Sequence, residues 1–375
     1  MREEDFPEIV RNYTYLDSAC TTLTPEQVRS KMEEFHRKYP SCPGRSGHSM
    51  GKEADKEVEK ARREVADLIG ASKENICFTS GTTDSINRVA SGLDFNKVVI
   101  SEREHNSNLL PWQDYDLEVV STGKDFLSEL ESQVEEGDLI SLVHVSNLDG
   151  LELPIEKVST IAEDSGAYFM VDAAQSAPHK AFSVKDLDPD FVAFSGHKML
   201  GPPGTGVLYA AERVQQELDP VSRGGGAVYA SSYESSELKE FPYKMEAGVP
   251  NTSGIIGLGK ACQYLSEIGM DKVEQHEQKL SEYFRERIRQ LSGFECLNPG
   301  EDGLFSLYSE KIDAKELALH LDKDDVAVRA GQHCLHPYFQ KLQVESTARA
   351  SFYLYNNKKD IENLFDSLRR ISKIF

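Results

Sequence analysis

The stretches AYFMVDAAQ (residues 167–175) and FVAFSGHKM (residues 191–199) decide how this chain folds. Each is a short apolar run that ends on polar side chains: Asp172 and Gln175 in the first, Ser195, His197 and Lys198 in the second. Such runs predict strands, and their separation by about one crossover unit predicts a mostly parallel sheet. Ligands bind at the carboxyl ends of strands in open sheets of this kind, which is where these polar residues fall. A carboxylate there can keep a pyridine nitrogen protonated, and a lysine can form a Schiff base with an aldehyde. Those are the two central tasks of a pyridoxal-phosphate site. Taken alone, Asp172 reads equally as a helix cap or a metal ligand.

Working outward, NICFTS, KVVISE, DLISLVHVS, DFVAFSG and GVLYA are further strand candidates between Asn75 and Ala210. Thr83 to Ala90 and Pro154 to Asp164 are predicted helices between them, the second with proline in its first turn. Gly51 to Ile69 has apolar residues at helical spacing on a charged background, the pattern of a half-solvated helix. GPPGTG and SRGGGAVYASS read as loops, the second long and polar enough to be mobile. Beyond NTSGIIGLGKACQYLSEIG the pattern shifts to long amphipathic helices at 271–291, 313–321 and 359–374. With strands near 303–308 and 326–329 they predict a smaller α+β domain.

The segment CFTSGTTDSINRVA (77–90) reads as a strand, a turn of small residues and a helix. The free N–H groups of that helix start, with the hydroxyls of Thr82 and Thr83, suit a phosphate, and Gly81 allows close approach. A plain capped helix has the same signature. Ser195 and His197 are candidate donors to the same phosphate. His105 follows the strand KVVIS on the same sheet edge, where an imidazole can stack on a ring or move a proton. Asn147 in HVSN and Gln175 sit at further strand ends, within expected reach of a phenolic oxygen.

Bulk properties narrow the function. With 63 acidic and 42 basic side chains among 375 residues, the net charge of −21 disfavours nucleic acid. Spread as it is along the chain, the acidity reads as solubility or adaptation to salt or heat rather than as a docking face. No stretch approaches the roughly 20 apolar residues of a membrane span, and MREEDFPEIV lacks a basic-then-apolar leader. A cytoplasmic protein without membrane contact is expected. The six cysteines lie far apart with no CxxC pair, so no metal site is expected.

With these motifs in view, the sequence resembles the class V aminotransferase superfamily, and within it the group II (Suf-type) cysteine desulfurases and selenocysteine lyases. The likeness runs from YLDSACTTLTP at Tyr15 to ARASFYLYN around Arg349. It implies a fold-type I architecture: a large domain (13–258) with a mostly parallel seven-stranded sheet, and a smaller α+β domain (1–12 and 259–375). It also implies pyridoxal 5'-phosphate bound by Thr82, Thr83, His105, Asn147, Asp172, Gln175, Ser195, His197 and Lys198, with His105 stacked on the ring. AGVPNT supplies a phosphate contact, Thr252, to the other subunit of a homodimer. Arg349 holds the substrate carboxylate, with Arg329 and Asn147 as further substrate contacts. RAGQHC carries the catalytic cysteine, Cys334.

The implied reaction converts L-cysteine to L-alanine, with sulfur passing to Cys334 as a persulfide and on to an acceptor such as an iron-sulfur scaffold protein. The segment between Arg223 and Tyr243 is the candidate docking surface. Selenocysteine lyase, or another class V aminotransferase or lyase, is the alternative. Because the nucleophile is a thiolate, His333, His336 or Arg329 is expected to favour its ionised form. Two departures from the family pattern stand out. Gln332 replaces the first histidine of G-H-H-C, and Gly44-Arg45-Ser46-Gly47-His48 lacks the first histidine of H-R-G-x-H.

Overall fold

Continuous apolar runs, rather than alternating ones, become strands here because both faces of the sheet are covered. Every residue of Ile76–Thr79 (β1), Val98–Ser101 (β2), Leu139–Val143 (β4), Phe191–Ser195 (β6) and Gly206–Ala210 (β7) is buried. In the computed structural model, which describes residues 5, 6, 9–297 and 303–375, these strands join Leu117–Val120 (β3) and Tyr168–Asp172 (β5) in one sheet. Its order is β1-β7-β6-β5-β4-β2-β3. Only β7 runs against its neighbours; the pairs from β6 to β3 are parallel. This is the mostly parallel α/β sheet of the expected fold class.

Helices cover the sheet. Thr82–Gly92 and Ile155–Ser165 lie where helices are predicted, with Pro154 at the N-cap rather than inside the first turn. Ser49–Leu68 packs its Ala54, Val58, Ala61 and Val65 stripe against Thr252–Ile268. That crossing is close: a Cβ on Gly259 would meet Ala61 Cα at 2.4 Å. Residue 258, the expected domain limit, therefore falls inside one continuous helix. The residues beyond it, Ala261, Cys262, Leu265 and Ile268, belong to the larger core.

The second core is built on a four-stranded antiparallel sheet in the order Glu295–Leu297, Leu304–Tyr308, Thr347–Ser351, Arg329–Gly331. Ala314–Asp322 and Lys358–Ile371 bury their apolar faces on it. Phe284 stacks on Phe305 at 3.9 Å within this core. Of the 1–12 segment assigned to the smaller unit, residues 1–4, 7 and 8 lie outside the described residues, as do 298–302.

Two local expectations need correction, and one strand was missed. The strand near 326–329 is two pieces. Val326–Ala327 pairs in parallel with Thr14–Tyr15, and Arg329–Gly331 pairs with Thr347–Ser351. The loop SRGGGAVYASS is partly ordered as a strand, Val228–Ser231, in an antiparallel hairpin with Ser236–Leu238. The edge strand β3 goes unrecognised in the sequence because only Val120 of its four residues is fully buried.

Candidate active site

Strands β5 and β6 end side by side at Asp172 and Ser195, and a single turn, Gly196–Lys198, follows the second. Together with the start of helix Thr82–Gly92 and the segments at 17–20, 105–107 and 329–334, they enclose a cavity of about 190 Å³. Thr82, Thr83, His105, Asn147, Asp172, Gln175, Ser195, His197, Lys198, Arg329, Cys334 and Arg349 all line it. Thr252 does not. It starts its own helix, with its hydroxyl 3.2 Å from Pro250 O.

The phosphate turn is held by a side chain from the neighbouring strand. Ser195 Oγ lies 2.8 Å from both Thr82 N and Thr82 Oγ1, while Thr83 Oγ1 is 2.7 Å from Ser107 Oγ. His105 Nδ1 accepts from Ser107 N–H at 3.0 Å, which leaves the ring proton on Nε2. Burial, with Lys198 and Arg349 nearby, lowers the His105 pKa to about 4, so this ring is neutral. His197 is lowered to about 4 by burial and by Lys198.

Burial dominates the central charges. It lowers Lys198 to about 8 against the opposing pull of Asp172. The same desolvation raises Asp172, which accepts a hydrogen bond from Ala174 N–H at 2.9 Å. Just behind, burial raises Glu104 to about 8, although Ser101, Asn108 and Val143 N–H all donate to it. Sequence reading passes over Glu104, whose partners are spread over forty residues.

On the opposite wall, Arg349 donates to Asn147 O at 2.6 Å and lies 3.7 Å from Asp17. Asn147 Nδ2 donates to His333 O at 2.8 Å, and Gln175 Nε2 donates to Ala19 O at 2.8 Å. Asn147 Oδ1 and Arg349 Nε remain buried with no hydrogen-bond partner.

Cys334 is exposed at the rim, on a kink where His333 (φ 48°) and Cys334 (φ 63°) are both left-handed. None of the three groups expected to assist its ionisation bonds to its sulfur. His333 is held far below the usual imidazole range by burial and bonds Thr347 Oγ1 at 2.8 Å. His336 Nδ1 lies 3.1 Å from Asn106 Nδ2. Arg329 donates to a different sulfur, Cys20 Sγ, at 2.8 Å. The replaced residue Gln332 is turned outward and donates to Glu345 O. Arg45 bonds Gly248 O, and His48 caps helix Ser49–Leu68, so neither reaches the cavity of its own chain.

The family model "Aminotransferase class-V" matches residues 14–364. The chain belongs to the class V aminotransferase family. Within it, the chain is 38% identical to a "Probable cysteine desulfurase" of Halalkalibacterium halodurans, over 96% of this chain and 93% of that protein. It is 37% identical to the "Cysteine desulfurase" of Haloferax volcanii, over 96% and 90% of the two chains. Among solved structures, the apo cysteine desulfurase of Thermococcus onnurineus NA1 superposes with a TM-score of 0.95 at 35% identity, covering 100% of this chain and 98% of that one.

The class V cavity fits pyridoxal phosphate. It offers hydroxyls and N–H groups at a helix start for a phosphate, a carboxylate at a strand end, a flat neutral imidazole and a lysine of lowered pKa. Among the described residues, no helix is long and apolar enough to cross a membrane and no cluster could hold a metal.

Proposed function

We propose that this chain is a pyridoxal-phosphate-dependent cysteine desulfurase that turns L-cysteine into L-alanine and carries the sulfur on Cys334. The observation that supports it is the convergence of Lys198, Asp172, Arg349 and an exposed cysteine on one cavity. Thr82, Thr83 and Ser195 would hold the cofactor phosphate, His105 and Asp172 would serve its ring, and Lys198 would bind its aldehyde. When bound, pyridoxal phosphate supplies an electron sink for negative charge at the substrate α-carbon.

The chain's own residues do the rest. Arg349, buried and already oriented by Asn147 O, presents its guanidinium to the substrate carboxylate, and a bidentate pair fixes which bonds face Lys198. Lys198, whose amine burial holds below the usual lysine range, is the base placed to take the α-proton and, once the carbon–sulfur bond has broken, to return a proton to the α-carbon. The Cys334 thiolate attacks the substrate sulfur. An S–S bond forms, the carbon–sulfur bond breaks with its electron pair left on the β-carbon, and protonation of the β-carbon together with return of a proton to the α-carbon gives alanine. Standing at the rim, the resulting persulfide is accessible to an acceptor.

We further assign the working form to a homodimer in which Thr252 serves the cavity of the other subunit, since it does not line its own. An iron-sulfur scaffold or small sulfur carrier in the cytoplasm is the proposed acceptor, docking near the segment between Arg223 and Tyr243. The test of the central reading is Cys334→Ala. Its holoenzyme should keep the visible absorbance of the bound cofactor and stop forming alanine and sulfide from L-cysteine. Undiminished sulfide release would refute the assignment, and loss of absorbance in the parent protein would refute the cofactor.

A further inference from the structure

Arg329 and Arg349 are cross-strand partners in the antiparallel pair formed by Arg329–Gly331 and Thr347–Ser351. Both side chains line the cavity. Like charges directly opposite on neighbouring strands repel. The two arginines are not equally constrained: the side chain of Arg349 is 3% exposed, whereas that of Arg329 is 47% exposed. Repulsion therefore falls on Arg329, which is free to swing toward solvent unless something holds it.

The holding group comes from the far end of the sequence. Residues 17–20 form a turn, with Cys20 N–H and Thr21 N–H both donating to Asp17 O, and Asp17 bridges to Ser351. This turn sets the Asp17 carboxylate between the guanidiniums, 3.7 Å from Arg349 and 3.9 Å from Arg329. It also sets Cys20 Sγ 2.8 Å from Arg329 Nη1, the shortest polar contact of that side chain among the described residues. Cys20 lines the same cavity as the two arginines and Lys198.

We propose that Cys20 is a positioning residue for substrate binding: its sulfur anchors the Arg329 guanidinium beside Arg349, so that both cations face the substrate carboxylate. The inference rests on the desulfurase reading above for the identity of the substrate. It assigns Cys20 no covalent part in sulfur transfer, which distinguishes it from Cys334.

The experiment uses the holoenzyme and the variants Cys20→Ala, Cys20→Ser, Arg329→Ala and the double variant Cys20→Ala/Arg329→Ala. Alanine formation is followed against L-cysteine concentration. Titration of the cofactor absorbance with L-alanine, which has the carboxylate and lacks the sulfur, gives a binding constant that owes nothing to sulfur chemistry. Loss of one half-exposed, charge-assisted contact corresponds to a rise of about three- to tenfold in KM and in the L-alanine Kd.

Cys20→Ala should show that rise with kcat within about twofold of the parent. Cys20→Ser, which keeps an acceptor in place, should recover most of it. In the Arg329→Ala background the Cys20→Ala change should add nothing. Unchanged KM and Kd in Cys20→Ala, or effects of the two substitutions that simply add, would overturn the proposal. So would a fall in kcat with L-alanine binding intact, which would make Cys20 a sulfur-handling thiol. A Cys20→Ala chain that fails to fold or to take up cofactor would make it a structural residue and overturn the proposal as well. Failure of the Cys334→Ala test, by contrast, would strike the function and leave the L-alanine titration to judge Cys20.

Discussion

Gly206 begins β7 directly against the phosphate turn, and a side chain there has nowhere to go. A Cβ at this position would stand 2.4 Å from Gly81 Cα, 2.6 Å from Gly81 N and 2.8 Å from its carbonyl carbon. All three are backbone atoms, so no flexible side chain can yield. Restoring ordinary contact at 3.4 Å requires the strand and the turn to separate by roughly 1 Å, the difference between 3.4 and 2.4 Å. Gly206→Ala should therefore cost about 3 kcal/mol, the upper end for overpacking. In a chain of 375 residues that lowers Tm by about 4 °C.

The same displacement pulls Thr82 away from Ser195 and strains its two 2.8 Å contacts. At about 1 kcal/mol each, their loss weakens pyridoxal-phosphate binding by roughly thirtyfold. Thermal melts of the apo chain and a spectroscopic cofactor titration measure both effects. Gly269→Ala is the control, since it has φ +90° with nothing within 4 Å. With ψ 122° it lies outside the left-handed helical well, so it should lose about 1–3 kcal/mol of stability from the backbone alone and keep its cofactor affinity. A Gly206→Ala chain that melts within about 1 °C of the parent and binds cofactor equally well would refute the packing argument.

Capture of pyridoxal phosphate by the apo chain should quicken with pH and level off above about pH 8, following the neutral fraction of Lys198; a rate still climbing at about pH 10 would place the amine in water instead. Glu104, raised to about 8 from 4.5 by burial, binds a proton in the folded chain that it gives up when unfolded. Its contribution to stability is thus greatest below about pH 4.5 and is lost as pH rises toward 8. Denaturant melts of Glu104→Gln should show a smaller fall over that window than the parent, and an equal fall would contradict the assignment. Arg62, buried against Glu246 at 2.7 Å, is expected to cost about 3–5 kcal/mol when changed to Met, because the carboxylate keeps its bond from Phe78 N–H but loses its cation. Adding Glu246→Gln should recover most of that loss in the same melts.

The sheet was readable in the sequence because its strands are buried on both faces and stay largely apolar, as Leu139–Val143 does around the single Ser141. The edge strand Leu117–Val120 was not, since with one fully buried residue it carries no such signature. The hairpin strand Val228–Ser231 is half-buried at its first residue and exposed beyond it. Its pairing comes from backbone bonds that polar and Gly-rich sequence does not advertise. At the site, Asp172 and Lys198 were legible because strand ends of one sheet must converge on one edge. The contact of Cys20 with Arg329 was not, as it joins residues 309 positions apart in the chain.

The left-handed kink at His333 and Cys334 also bears on how the sulfur chemistry can be dissected. A residue with a Cβ in that conformation carries a backbone penalty of about 1–2 kcal/mol, shared alike by cysteine, serine and alanine. Exchanges among those three therefore isolate the sulfur atom. Glycine at position 334 would relax the loop as well as delete the thiol, and its phenotype would mix chemistry with a softened support. The bonds that fix this kink, Asn106 N–H to Cys334 O and Asn147 Nδ2 to His333 O, both come from the larger core. The thiol is thus carried by one half of the molecule and aimed by the other.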